Sequence, residues 1–265
     1  MEKIAILADS GCQIPVDSRE NEGIFIAPLT ITMEGKSYLD DIEIHSIDVF
    51  KRMEKDDIMV MTSQPSTGSL QEAVQKIKDQ GYSHVIGLPI ATGLSSTMNG
   101  MKLACDMLEM PVTLVDTKGT ASNQKYLVEV AAKLAREGKS PEEIKDILEK
   151  LVEDSATIIM VPNLDHLKKG GRITPAVAAL AGLLKIVPIM KLNYSLGKVR
   201  TTKKANLKII DHMVNECKVN NKNYVFAIEH VLNEELALEM KQKLIEQIGE
   251  CEILVRELPA VVGAH

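Results

Sequence analysis

Tryptophan is absent from these 265 residues, and the only rings besides histidine are three phenylalanines and five tyrosines. A core so poor in aromatics has to be assembled from aliphatic side chains and from the 13 methionines, whose flexible thioethers fill irregular apolar space. That composition suits an apolar tunnel and an ordinary core equally. Cysteine is confined to Cys12, Cys105, Cys217 and Cys251, with no CxxC pair. Such spacing argues against a zinc site or a disulfide framework and fits a reducing cytoplasm. No apolar run is long enough to span a bilayer, because the best candidate, Ala176 to Leu192, is broken by Gly182, Lys185 and Pro188. The chain opens on a strand-like run, Lys3 to Ala8, rather than on a signal peptide. The G-x-G-x-x-G fingerprint, the P-loop and the G-x-S-x-G elbow are all missing. The histidines and carboxylates fall into no metal-ligand spacing, and neither a cofactor nor a metal is expected.

Charge is unevenly distributed. The formal net charge is −6, yet the stretch from His166 to Ile210 contains no acidic residue and ten basic ones, among them Lys168, Lys169 and Arg172. A block of one sign sets up a local field that attracts an anionic partner; lysines spread separately into water would read the same way. Nucleic acid is the weaker reading, since Tyr194 alone could stack on a base there and no DNA- or RNA-binding motif accompanies it.

Three hydroxyl-rich segments follow apolar runs and precede helix-like ones: Met61 to Ser66, Thr92 to Thr97, and Asp116 to Ser122. In an open α/β sheet, ligands bind beyond the carboxyl ends of the strands, where helix N-termini offer free N–H groups. The first two segments contain no lysine, arginine or cysteine. Neutral donors of this kind favour a single carboxylate over a polyphosphate. Serine and threonine are equally the residues of helix caps and turns, so each segment taken alone also suits a purely local role.

Periodicity divides the chain into two halves, residues 1–161 and 162–265. The first half alternates strands (Lys3–Ala8, Ile24–Met33, Val85–Ile90, Val112–Val115) with helices (Ser46–Glu54, Ser66–Gln80, Ser96–Leu108, Ser122–Arg136). Ser140 and Pro141 open a further helix as N-cap and first helical residue. A strand at Thr157–Val161 is expected to complete a doubly wound parallel sheet. The second half reads as α+β: a short helix to Lys169, an apolar helix at Pro175–Leu184, a strand pair around Asn193 to Gly197, helix Lys203–Cys217, strand Tyr224–Glu229, helix Glu234–Ile248 and strand Glu252–Leu258. The expected fold is two-domain, an N-terminal parallel α/β/α sheet domain plus a C-terminal α+β domain, with the ligand in the cleft between them.

Several motifs in this order carry a resemblance. Ala8-Asp9-Ser10 is followed by Thr62-Ser63-Gln64-Pro65-Ser66, Gly93-Leu94-Ser95-Ser96-Thr97, Val115-Asp116-Thr117 and Leu164 to Ile173 with its Lys168-Lys169-Gly170-Gly171-Arg172 core. Lys185 to Ile189 and the final Val262-Gly263-Ala264-His265 complete the set. In these segments the chain resembles the DegV family of bacterial fatty-acid-binding proteins over essentially its whole length. It departs at Leu94-Ser95-Ser96-Thr97-Met98, where members carry an L-S-G-T-Y-like helix start, and in ending at His265, where members run on into a Gly/Pro-rich stretch.

The resemblance implies a cytoplasmic carrier that encloses one long-chain fatty acid between two domains. Thr62 and Ser95, with Ser63 and Ser96 beside them, would bind the acyl carboxylate, and His265 would join that network. A separate fatty acid kinase would then phosphorylate the bound acid for phospholipid synthesis, docking on Arg172, Lys168 and Lys169. The residues leave two rivals open: a hydrolase or transferase using Ser95 or Asp9, and a module that senses another apolar acid. A serine nucleophile needs a base beside it; sequence spacing supplies none, although folding could bring His265 there.

Overall fold

The computed structural model describes residues 3–56, 58–161, 165–172, 187–193, 195–202, 209–211, 214–215 and 224–264. In the first half the strands are β1 (Ile4–Asp9), β2 (Ile24–Ala27), β3 (Thr30–Met33), β4 (Lys36–Leu39), β5 (Val60–Ser63), β6 (His84–Leu88) and β7 (Val112–Leu114). The helices are α1 (Ser46–Asp56), α2 (Thr67–Asp79), α3 (Thr97–Met107), α4 (Ala121–Arg136) and α5 (Pro141–Asp154).

Strand β1 is buried at all six positions, as a strand covered on both faces must be. It pairs in parallel with β2 and β6, and β6 with β7, giving the order β2-β1-β6-β7. Alternate residues serve opposite faces. Ile4, Ile6 and Ala8 pack with Leu127, Val128 and Ala131 of α4 and with Ile144 and Leu148 of α5. Ala5 and Leu7 pack with Leu70, Val74 and Ile77 of α2 and with Met101 and Ala104 of α3. Helix α5 starts as its sequence dictates, with Ser140 and Glu143 forming a reciprocal capping box and Pro141 at the first position.

Two sequence expectations are corrected here. The run Ile24–Met33 is not one strand. It divides around Pro28, where no amide is available for a ladder, and β3 leaves the parallel sheet to form an antiparallel sheet of order β4-β3-β5. The strand at the end of the first half, β8 (Thr157–Met160), does not complete the parallel sheet. It pairs antiparallel with β9 (Val187–Asn193), which forms a hairpin with β10 (Ser195–Thr202). Its apolar residues face the second half of the chain, with Ile158 and Met160 packed against that core.

The remaining elements are α6 (Asp165–Lys169), β11 (Phe226–His230), α7 (Glu234–Ile248), β12 (Ile253–Glu257) and α8 (Ala260–Gly263). Residues 209–211 and 214–215 are helical. Strands β11 and β12 pair in parallel across α7, and Phe226, Ile228, Met240, Leu244 and Ile253 make their core with Ile209, Ile210 and Val214. The expected helix at Pro175–Leu184 and most of that at Lys203–Cys217 lie outside the described residues. Among the described residues no helix is long and apolar enough to cross a membrane.

Candidate functional site

A cleft of about 940 Å³ runs between the carboxyl-end loops of the parallel sheet and the β8, β11–α7–β12 and α8 elements. Its apolar lining includes Ile158, Met160, Phe226, Ile228, Met240 and Leu254. The cleft takes in both faces of these strands, since Thr157 to Val161 and Tyr224 to Val231 contribute at every position. Volume and lining fall within the range of small-molecule sites.

The first two hydroxyl segments meet at this cleft. Thr62 and Ser63 end β5, opposite Ile31 and Thr30 in the ladder, and both line the cleft. They therefore belong to a strand, not to the start of a helix; the helix that follows is capped by Ser66, whose hydroxyl accepts the Ser69 amide at 3.0 Å. Ser95 lines the cleft from the loop before α3, while Ser96 sits at the N-cap, exposed and away from the lining. Ser95 Oγ lies 2.8 Å from Thr97 Oγ1 and accepts the Thr97 amide at 3.3 Å.

Arg172 joins these two segments. Its Nη2 donates to the Thr62 carbonyl at 2.9 Å, its Nε to the Leu94 carbonyl at 3.4 Å and its Nη1 to the Gly170 carbonyl at 2.7 Å. The loop turns inward because Gly171 takes a left-handed φ of +72° after α6, a conformation suited to glycine at a helix C-terminus. Arg172 is half-buried and lines the cleft, and burial lowers its pKa. Its guanidinium, expected to form part of a docking surface, is directed at three backbone carbonyls. Lys168 and Lys169 are exposed.

Segment three adds Thr120 and Ser122 to the lining, and its first residues brace the site. Asp116 accepts hydrogen bonds from the Thr92 and Lys118 amides, each at 3.1 Å. Thr117 Oγ1 donates to the Pro89 carbonyl at 2.7 Å. Segments two and three are thus stitched together behind the cleft. The chain end approaches it from α8, where Gly263 packs so closely that a Cβ would lie 2.7 Å from Phe50 Cζ and from Val231 Cγ2. Gly263 and Ala264 line the cleft; His265 lies outside the described residues.

Asp9 is fully buried and is not among the cleft-lining residues. It accepts from the Ile90 amide at 2.7 Å, the Gly11 amide at 3.0 Å and Gln124 Nε2 at 3.2 Å, tying β1 to the β6 loop and to α4. Among the described residues Ser95 Oγ bonds only within Thr97, so neither residue of the hydrolase reading has a base beside it there. Among the described residues no cluster of His, Cys, Asp or Glu could hold a metal ion. Glu229 and Arg256 also line the cleft and were not singled out from sequence; a lone Glu or Arg near a strand end carries no signal of its own.

Two buried carboxyls have a consequence for stability. Burial pushes Asp9 up to about 6 and Asp40, which also hydrogen-bonds Ser10, up to about 7. The folded state therefore binds protons that the unfolded state releases. This stability is present at low pH and lost as pH rises through about 7. The thermal midpoint should rise by a few degrees as pH is lowered from about 8 to about 5.5, read by calorimetry; a flat or falling midpoint over that window would contradict the assignment.

Fold and cleft together define a mixed α/β protein with an apolar cavity and with neutral hydroxyls of β5 and of the loop before α3 on its wall. The chain belongs to the DegV family: the family model described as "Uncharacterised protein, DegV family" matches residues 3–265. It is 32% identical over 270 residues to a DegV domain-containing protein of Clostridium acetobutylicum, covering 100% of this chain and 95% of that one. Among solved structures it is similar to DegV, a fatty acid binding protein from Bacillus subtilis, with a TM-score of 0.86, 29% identity and coverage of 100% of this chain and 95% of that one. It is similar also to a DegV family protein from Thermus thermophilus described for its fatty acid binding, with a TM-score of 0.82, 27% identity and coverage of 99% and 95%.

Proposed function

We propose that this protein binds one long-chain fatty acid in the cleft and presents its carboxylate to a separate fatty acid kinase. The observation that carries the reading is that Thr62 and Ser95, both neutral donors, line the wall of one apolar cleft of about 940 Å³, where Arg172 bonds the backbone carbonyls of Thr62 and of Leu94, the residue before Ser95. Thr62, Ser63 and Ser95 take the carboxylate, joined by His265. The tail lies against Ile158, Phe226, Ile228 and Met240. Each buried CH₂ contributes about 0.8 kcal/mol, so the tail supplies most of the affinity and the donors fix the head group. Fatty acid binding by the Bacillus subtilis and Thermus thermophilus relatives supports the same ligand here.

In this reading the protein is a cytoplasmic carrier rather than a catalyst, with residues 1–161 and 162–265 as its two domains. Exposed Lys168 and Lys169, close in sequence to Arg172, are the kinase-facing charges. The ATP chemistry is assigned to the partner kinase.

Lipid extraction of the purified protein followed by mass spectrometry should yield a free fatty acid in about equimolar amount. Addition of the kinase and ATP should convert it to acyl phosphate. Recovery of nucleotide or phospholipid alone would defeat the ligand assignment, and a covalent acyl adduct would favour an enzyme on the same scaffold.

A further inference from the structure

Helix α4 begins without a cap of its own. Thr120 occupies the N-cap position, yet its hydroxyl makes no bond to the helix and is buried without a partner. The amide of Ser122 in the first turn donates instead to Glu229 Oε1 at 3.0 Å, and the Ser122 hydroxyl donates to the same oxygen at 2.6 Å. Glu229 lies on β11, 107 residues further along the chain. A carboxylate at a helix N-terminus satisfies orphan N–H groups and complements the partial positive charge there. Two further polar contacts lie on neighbouring elements: Gln13 Nε2, after β1, donates to the Glu257 carbonyl of β12 at 2.7 Å, and the Ala260 amide of α8 donates to Ser46 Oγ of α1 at 2.8 Å. Of the three, only the Glu229 contact ends on an ionisable group.

We propose that Glu229 is a positioning residue that latches the β11–α7–β12 layer onto α4 and sets how fast the cleft releases its ligand. The inference rests on the fatty-acid reading of the cleft. Ser122 and Glu229 both line the cleft. A tail that passes the face of β11 and β12 carrying Ala227, Glu229 and Leu254 on its way to Ile228 and Met240 is released most easily when that face moves away from α4.

The charge sets the direction of the effect. Glu229 faces Ser122 on α4, Gln13 in the loop after β1 and Arg256 on β12. Lys125, one turn into α4, and His230, next on β11, line the same cleft. Burial is the largest influence and raises the Glu229 pKa; the bonds from Ser122, the charge of Arg256 and the bond from Gln13 oppose it without cancelling it. The latched form therefore holds its proton more tightly than an open form with a hydrated carboxyl. Protonation favours the latched form, and that preference is lost as pH rises through the raised pKa. Above that pKa the latch carries a buried charge, which leaves it able to open.

The test is the dissociation rate of a naturally fluorescent polyene fatty acid from the full chain. Glu229→Gln keeps an acceptor for Ser122 and removes the buried charge, so release should slow by roughly threefold or more near pH 7.5. The difference from wild type should shrink as pH falls and wild type itself takes up the proton. Glu229→Ala removes the cap and should speed release several-fold. If the probe does not bind at all, the fatty-acid reading fails, and the latch is judged in ligand-free protein from hydrogen exchange of the Ser122 amide, slower in the Gln variant and faster in the Ala variant. Equal acceleration by both variants at every pH, or no change in either, overturns the proposal and leaves Glu229 an ordinary packing residue.

Discussion

Replacing Thr62 and Ser95 together by alanine should reduce conversion of bound fatty acid to acyl phosphate by roughly a hundredfold or more, while weakening binding itself about tenfold. A hydrogen bond to a charged group contributes roughly 1.5–3 kcal/mol, and about 1.4 kcal/mol is a factor of ten. In the binding equilibrium part of that loss is recovered, because a carboxylate released from the two hydroxyls can be hydrated while the tail stays buried. Phosphoryl transfer has no such recourse: it needs the attacking oxygen at a fixed place, and positioning is a large part of its rate. Thr62→Ala and Ser95→Ala singly should each give an intermediate effect, and since the proposal gives both hydroxyls to one carboxylate their effects need not add. Fluorescent fatty acid titration and an acyl phosphate assay with partner kinase separate the two quantities. Wild-type turnover in the double variant would remove the carboxylate from this wall of the cleft.

The parallel sheet was legible because its strands are fully buried and near-continuously apolar, as Ile4–Asp9 shows, and because its helices carry strong boundary signals such as the capping box at Ser140. Helix Glu234–Ile248 follows its expected limits for the same reason. The small antiparallel sheet was not legible. Val60–Ser63 is short, half polar and followed by Pro65, so it reads as the approach to α2; its strand character comes from β3, nearly thirty residues earlier in the chain. The same nonlocality hid the pairing of Thr157–Met160, whose partner begins at Val187. At the site, Thr62 and Ser95 stood out because neutral hydroxyls without nearby cations form a local pattern. Glu229 did not, since its function depends on Ser122, 107 residues away. The direction of Arg172 was hidden too: a Gly-Gly-Arg loop suggests exposure, and only the fold shows which carbonyls lie within reach.

Arg172→Ala should weaken fatty acid binding by about tenfold and slow kinase-dependent turnover by more. The guanidinium bonds to the carbonyls of Thr62, Leu94 and Gly170 at 2.9, 3.4 and 2.7 Å. Removing it leaves those carbonyls to find other donors and frees the two segments that carry the head-group hydroxyls to drift apart. A charge-assisted hydrogen bond contributes roughly 1.5–3 kcal/mol, of which water entering the gap returns a part. Arg172→Lys should restore little, because one ammonium on a flexible stem does not reproduce a planar fork spanning two carbonyls. Exposed Lys168 and Lys169 supply the comparison. Their replacement by alanine should leave fatty acid affinity unchanged and, if the kinase docks on this face, slow turnover in a way that rising salt mimics in wild type. The decisive split is between affinity and turnover in Arg172→Ala. Wild-type affinity with impaired turnover would make Arg172 a docking residue whose carbonyl bonds are incidental; loss of both, unrelieved by excess kinase, places its action on the geometry that Thr62 and Ser95 present to the carboxylate.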